Sequence, residues 1–262
     1  MGRVRARFGY SAVIAAFVSL GACAGMQGYD PSKPSAVDVL ARQFETVAFY
    51  DEYDQQREFD RARKRIRPIN IALIGPLAER YRAAVQRHAG ALAPLTGLPI
   101  VVQPAKTEAT NLEIHFVKWD DMEKTAAPHA PNPQWLKTIV DESTCMFIFK
   151  RNARFEIVWA MIVVSTDEPV RNTENCLLEE LTQSLGLPND SELIRGSVFS
   201  QRVVAPALIP DDMLIVRALY DPRIPAGTSK RETIAAARGI LAELRAKLIA
   251  QGPAALHQRA AQ

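Results

Sequence analysis

The residues best able to do chemistry lie in one run, Cys176-Leu177-Leu178-Glu179-Glu180-Leu181-Thr182-Gln183-Ser184-Leu185-Gly186-Leu187-Pro188-Asn189-Asp190. In helical register Leu177, Leu178, Leu181 and Leu185 form an apolar stripe, while Cys176, Glu179, Glu180 and Gln183 recur at three- and four-residue spacing on the opposite face. Two carboxyls and an amide are thus aligned along a helix that stops at Gly186, which suits a left-handed C-terminal cap. The plainer reading is a solvated helix face, with Asn189-Asp190 capping the next segment. Adjacent helical residues point about 100° apart, so Glu179 and Glu180 do not flank one bond as a glycosidase pair does.

Other chemistries have less support. There is no G-x-S-x-G elbow and no glycine-rich phosphate loop. His88, His115, His129 and His257 have no metal-ligand spacing; His88 falls on an apolar helix stripe and His129 in a Pro-rich loop. Trp119, Trp135 and Trp159 either pack in the core or line a carbohydrate or peptide groove. The basic run Arg61 to Arg67 reads as a solvated helix end, with contact to anionic lipid as the alternative. The chain has 32 Lys and Arg against 29 Asp and Glu, and Arg3, Arg5 and Arg7 account for the excess. A mature chain without those three is formally neutral, so no nucleic-acid partner is expected.

Those three arginines open an address. A basic stretch, an uncharged apolar run from Tyr10 to Leu20 and the small residues before Cys23 make a secretory signal over residues 1–22. The run is about eleven residues, where a spanning helix needs roughly twenty. Leu20-Gly21-Ala22-Cys23 resembles the bacterial lipobox, which implies lipidation at Cys23; the alternative is cleavage near Ala22 or Ala24. Ala24 follows the cysteine, not the Asp of an inner-membrane retention signal, so the expected location is the outer membrane, facing the periplasm, with the membrane as partner through the lipid. Cys145 and Cys176 are then available to pair in an oxidising compartment, or remain as two buried thiols.

The elements that must position the site follow from periodicity. Residues 23–36 have linker composition, and a helical pattern runs from Val37 to Arg67. Ile69 to Ile74 reads as a buried strand stopped by Gly75-Pro76, and a long amphipathic helix from Leu77 ends at Gly97. Short strands are expected at 100–103 and 112–117, then a Pro-rich loop over 120–134. Cys145 to Lys150 and Phe155 to Ser165 read as a hairpin turning at 151–154. Helices follow at 174–185, 210–219 and 230–251, with a frayed tail at 252–262. The fold class is α+β: one domain over 37–251, with a mixed sheet, a backing helix, the Glu180 helix and C-terminal helices.

The Glu179 to Asn189 spacing resembles the metzincin zinc-protease signature, H-E-x-x-H-x-x-G-x-x-H, in which histidines bind zinc and the glutamate activates water. Laid over it, Glu179, Gln183 and Asn189 take the three histidine positions, Glu180 the glutamate and Gly186 the glycine. Leu208 to Tyr220, with Asp211-Asp212 at its start, is similar to the closing helix of matrixin-type metzincins. The resemblance implies a zincin-like domain and places His115 on a strand near the cleft. All three ligand types have changed, and one carboxylate with two neutral amides is a poor zinc set, so no metal and no cofactor are expected. The segments Leu95 to Leu98, Cys145, Cys176 to Asp190, Gly196 to Phe199 and Leu219 to Arg223 resemble a bacterial secreted family known as protein of unknown function 2927, which supports the fold and the disulfide. The function expected is a non-catalytic cleft binding a peptide or cell-envelope component through Glu179, Gln183, Asn189 and His115. The alternative is a hydrolase with Glu180 as general base, using an unconventional metal or none.

Overall fold

The computed structural model describes residues 32–51, 58–202 and 205–258. The signal segment and Cys23 lie outside the described residues. Five strands, β1 (Ile69–Ile74), β2 (Ile100–Val102), β3 (Leu112–Val117), β4 (Cys145–Arg151) and β5 (Ile157–Ser165), form one sheet in the order β2-β1-β3-β5-β4. All neighbours are parallel except β4, which pairs antiparallel with β5 and occupies an edge. The chain is α+β with a mixed sheet.

Strand alternation divides the core. Leu112, Ile114, Phe116, Ile162, Val164, Cys145 and Phe147 point to a large core shared with α1 (Val37–Phe49), α2 (Ala78–Thr96), α5 (Val170–Gln183), α6 (Pro210–Leu219) and α7 (Lys230–Gln251). Met146, Ile148, Met161 and Val163 face α3 (Trp119–Ala126) and α4 (Pro133–Glu142). The first and longest connections therefore cover one face, and two short helices cover the other. Cys145 and Cys176 are bonded, tying the start of the edge strand to α5.

Three expectations need correction. The segment 120–134 is not a loop: α3 fills its first half, and Pro133 opens α4 under Asn132, whose side chain accepts from the Trp135 N–H at 2.8 Å. Proline suits a first helical position because its missing N–H would have no partner there. The chain end is not frayed through the described residues: Leu256 is buried, and the Gln258 amide donates to the carbonyls of Leu95 and Tyr220. The linker likewise ends docked, with the Ser35 N–H and hydroxyl on the Asp211 carboxylate at 2.8 and 2.5 Å.

The largest departure concerns Val37 to Arg67. The helix stops at Phe49, and residues 61–64 run extended, bridging Ser229 and Glu156. Arg63, Lys64 and Arg65, expected in solvent, are 3%, 7% and 2% exposed. Each reaches the C-terminal end of a different helix. Arg63 Nη2 donates to Ala48 O in α1 at 3.1 Å, Lys64 Nζ to Leu219 O in α6 at 3.1 Å, and Arg65 Nε to Ser184 O after α5 at 3.4 Å. Terminal carbonyls have no partner within their own helix and carry the negative end of its dipole, so they replace the water these cations give up. Burial is nevertheless felt, and it pulls the Lys64 pKa down to about 8.

Gly186 permits this meeting. Its φ is +120°, and a Cβ there would lie 2.0 Å from the Arg63 carbonyl oxygen. It serves close chain approach, which the cap reading did not include. Gly186→Ala is expected to lower unfolding free energy by more than about 3 kcal/mol in denaturant titration. Gly90→Ala, exposed inside α2 with nothing near the added carbon, is expected to raise it by about 0.5–1 kcal/mol in the same assay.

Candidate functional site

The α5 helix starts earlier than its periodicity indicated, at Val170, and ends at Gln183. Its polar face is mostly buried, with Glu179 half-exposed. Glu180 is 3% exposed and Gln183 1%, because the chain after Gly186 folds back beside them. Gln183 Nε2 donates to Asp190 Oδ1 at 2.6 Å. Asn189 turns the other way: its amide donates to Thr46 O at 3.1 Å and its backbone N–H to Val47 O, fastening the turn to α1.

The five positions expected to act together are therefore split. Glu179 and Glu180 line a cavity of about 390 Å³ with Thr144, Cys145, Asp190 and Ser200. Asn189 lines a different depression, beside α1, which meets the first only at Asp190 and Gln201. His115 is on the far face of the sheet, since Leu112, Ile114 and Phe116 take the α5 side and alternation sends Glu113 and His115 toward α3 and α4. There His115 Nε2 lies 3.2 Å from Glu113 Oε2, and Glu113 also meets Lys106 at 2.9 Å. His115 is thus no part of the α5 site, because the strand parity opposes it. Asn189 cannot converge with Glu179 and Gln183 on one ion, so the residues at the three ligand positions do not fit zinc. Among the described residues no group of three or more His, Cys, Asp and Glu side chains could hold a metal ion.

Asp190 is the residue that sequence reasoning passed over as a cap. Burial raises its pKa to about 6, Glu192 adds to the rise, and hydrogen bonds from Gln201 and Gln183 oppose it. Its position four residues after Gly186 was the available signal, but only the turn geometry distinguishes it from Asn189.

A second cavity, about 330 Å³, opens at the other end of β4. Phe147, Ile148, Phe149 and Arg151 form its strand side, with Arg61, Arg63, Phe155, Trp135 and Pro188 around them. Arg63 lies 3.3 Å over the Phe59 ring. Trp135 lines this groove as one alternative proposed, whereas Trp159 packs against His129 with ring centroids 4.5 Å apart.

Between the cavities runs the outer edge of β4. Ser165 N bonds Thr144 O, so the antiparallel alternation turns the N–H and C=O of Cys145, Phe147 and Phe149 away from β5. No strand among the described residues pairs with them. The turn Pro188–Asp190 reaches both cavities, with Pro188 lining the one at the end of β4 and Asp190 the one at its start.

The chain belongs to the family described as protein of unknown function (DUF2927), whose model matches residues 38–239. No curated protein and no solved structure matches it. No described helix is long and apolar enough to cross a membrane.

The raised Asp190 pKa has a consequence for stability. The folded state binds this proton up to about pH 6, whereas an unfolded Asp releases it near 3.9. Between those values the folded state holds more protons, so acidification from pH 6 to 4 favours folding. Asp190→Asn is expected to remove this component, worth up to about 3 kcal/mol, in a comparison of denaturation curves across that range.

Proposed function

We propose that this protein is an outer-membrane lipoprotein, anchored through Cys23 and facing the periplasm, whose zincin-like domain holds an extended peptide or cell-envelope segment without cleaving it. The observation that carries the reading is the outer edge of β4, with which no strand among the described residues pairs and which lies between two cavities. An extended segment can add to such an edge through main-chain hydrogen bonds, while the cavities take its side chains. The antiparallel position of β4 and the placing of α5 after β5 support the zincin-like assignment. The dispersal of Glu179, Gln183 and Asn189 supports binding over metal catalysis, and the reading requires no cofactor and no nucleic acid.

A hydrolase reading has one observation in its favour: a carboxyl with its pKa near 6 shares a cavity with Glu180, the kind of pair used for proton transfer. Both readings can be tested on nonapeptides selected from a random display library against the full chain in detergent. Binding alone predicts that peptide slows amide exchange at Phe147 and Phe149 by at least about tenfold, that peptide stays intact, and that Glu180→Gln retains affinity within about threefold. Cleavage abolished by Glu180→Gln would establish the hydrolase. Unchanged exchange at the two amides would remove β4 as the binding surface. For the anchor, Cys23→Ala is expected to move the protein from the membrane fraction to the soluble fraction in cell fractionation.

A further inference from the structure

We propose that the cavity at the end of β4 is a selectivity pocket for one aromatic side chain of an extended peptide; this deepens the binding reading above and rests on it. Phe59, Phe147, Phe149, Phe155 and Trp135 set five ring systems around a space of about 330 Å³. Ligand pockets run from roughly 300 to 1,000 Å³, so this one suits a single large side chain. Ring against ring adds about threefold to tenfold in affinity beyond the apolar area buried. A pocket walled by rings therefore separates Phe, Tyr and Trp from a Leu or Met that buries similar area.

The position of the cavity commits the occupant to a peptide. Phe147 and Ile148 belong to the cores on opposite faces of the sheet, yet both line this cavity, so it lies across the edge of β4 where an added strand would run. Phe147 and Phe149 supply rings to its wall, and the alternation of β4 turns the N–H and C=O of the same two residues outward. An extended chain fills the cavity and pairs with those groups together, whereas a lipid acyl chain has neither donor nor acceptor along its length.

The far wall has the marks of a built site. Phe155 has φ +64°, the one non-glycine residue at positive φ among the described residues. It follows a hairpin turn pinned by Asn152, whose Oδ1 accepts from the N–H groups of Arg154 and Glu156. Glycine or asparagine suits that place, and a phenylalanine there is strained. What the strain secures is a ring at the cavity, with the Arg151 guanidinium 4.2 Å and the Arg61 guanidinium 5.6 Å from its centroid. A planar guanidinium stacks on aromatic faces, so this wall adds cation–π attraction for an incoming ring.

The test uses the selected nonapeptides and the full chain in detergent. Enriched peptides are expected to share Phe, Tyr or Trp at one position, and replacing that residue by Leu is expected to weaken binding about fivefold. Phe155→Asn, which suits the positive φ, is expected to abolish the difference between the aromatic and the Leu peptide while the thermal midpoint stays within a few degrees; Phe155→Tyr is expected to keep it. Binders that protect the Phe147 and Phe149 amides but hold the two peptides equally would overturn the aromatic assignment and leave the groove reading standing. An aromatic preference that Phe155→Asn leaves unchanged would place the ring elsewhere and overturn the assignment too. Absence of protection at those amides would overturn the groove reading itself. If no peptide is enriched and Phe155→Asn instead lowers binding of phospholipid vesicles, the cavity takes lipid and the proposal falls.

Discussion

Three consecutive cations buried under three helix ends are the constraint on which the rest of this molecule depends. Desolvating Arg63, Lys64 and Arg65 would be prohibitive against an apolar wall. The carbonyls of Ala48, Leu219 and Ser184 supply part of the missing solvation, each from a different helix, while Arg65 Nη2 is buried with no hydrogen-bond partner among the described residues. One extended segment consequently fixes where α1, α5 and α6 end relative to one another. Tyr220 closes the arrangement, its hydroxyl donating to Leu185 O at 2.9 Å while receiving the Arg65 N–H at 3.2 Å. Gly186 is the point at which backbone meets backbone, and no side chain can be added there without moving the knot.

The groove inherits its shape from that knot. With residues 61–65 held, Arg61 and Arg63 border the cavity at the end of β4, and the chain leaving Gly186 is directed past Pro188 to Asp190. The disulfide holds the opposite end of β4 to α5. The start of the edge strand is thus held covalently, the buried segment donates no bond to β4 but receives the Ile157 N–H of its neighbour β5 at Lys64 O, and no strand among the described residues covers the outer edge. The residues that resemble metal ligands are occupied differently: Gln183 orients Asp190, and Asn189 ties the turn to α1.

Much of the fold was legible in the sequence because it follows local patterns. Alternation and β-branched runs located the strands from Ile69 to Ile74 and Leu112 to Val117, the hairpin of β4 and β5 came from two apolar runs around a polar turn, and Cys145 and Cys176 pair as arithmetic allowed. What escaped depends on contacts between distant segments. A stretch with Arg63, Lys64 and Arg65 has the composition of a surface, and nothing in it indicates that three carbonyl ends from elsewhere will receive its charges. The polar face of α5 could be seen as a row, but whether the row meets water depends on the turn at Gly186 folding back over it. The zincin resemblance puts His115 on a strand near the cleft, and strand parity sends its side chain to the opposite face of the sheet.

Departures from local rules also distinguish what holds the fold from what serves the groove. A consistent sequence satisfies propensity, burial and turn chemistry together, and exceptions need a compensating partner or a use. The buried cations have their compensation in the helix carbonyls, and Gly186 in the approach it allows. Phe155, where glycine would be easier, and Asp190, whose carboxyl is pushed up by burial, have no comparable return in packing. Both instead border cavities at opposite ends of β4, whose outer edge no strand among the described residues pairs with. Two local costs beside one strand edge are what the proposed binding reading would account for, and a purely structural role would have to find another use for both.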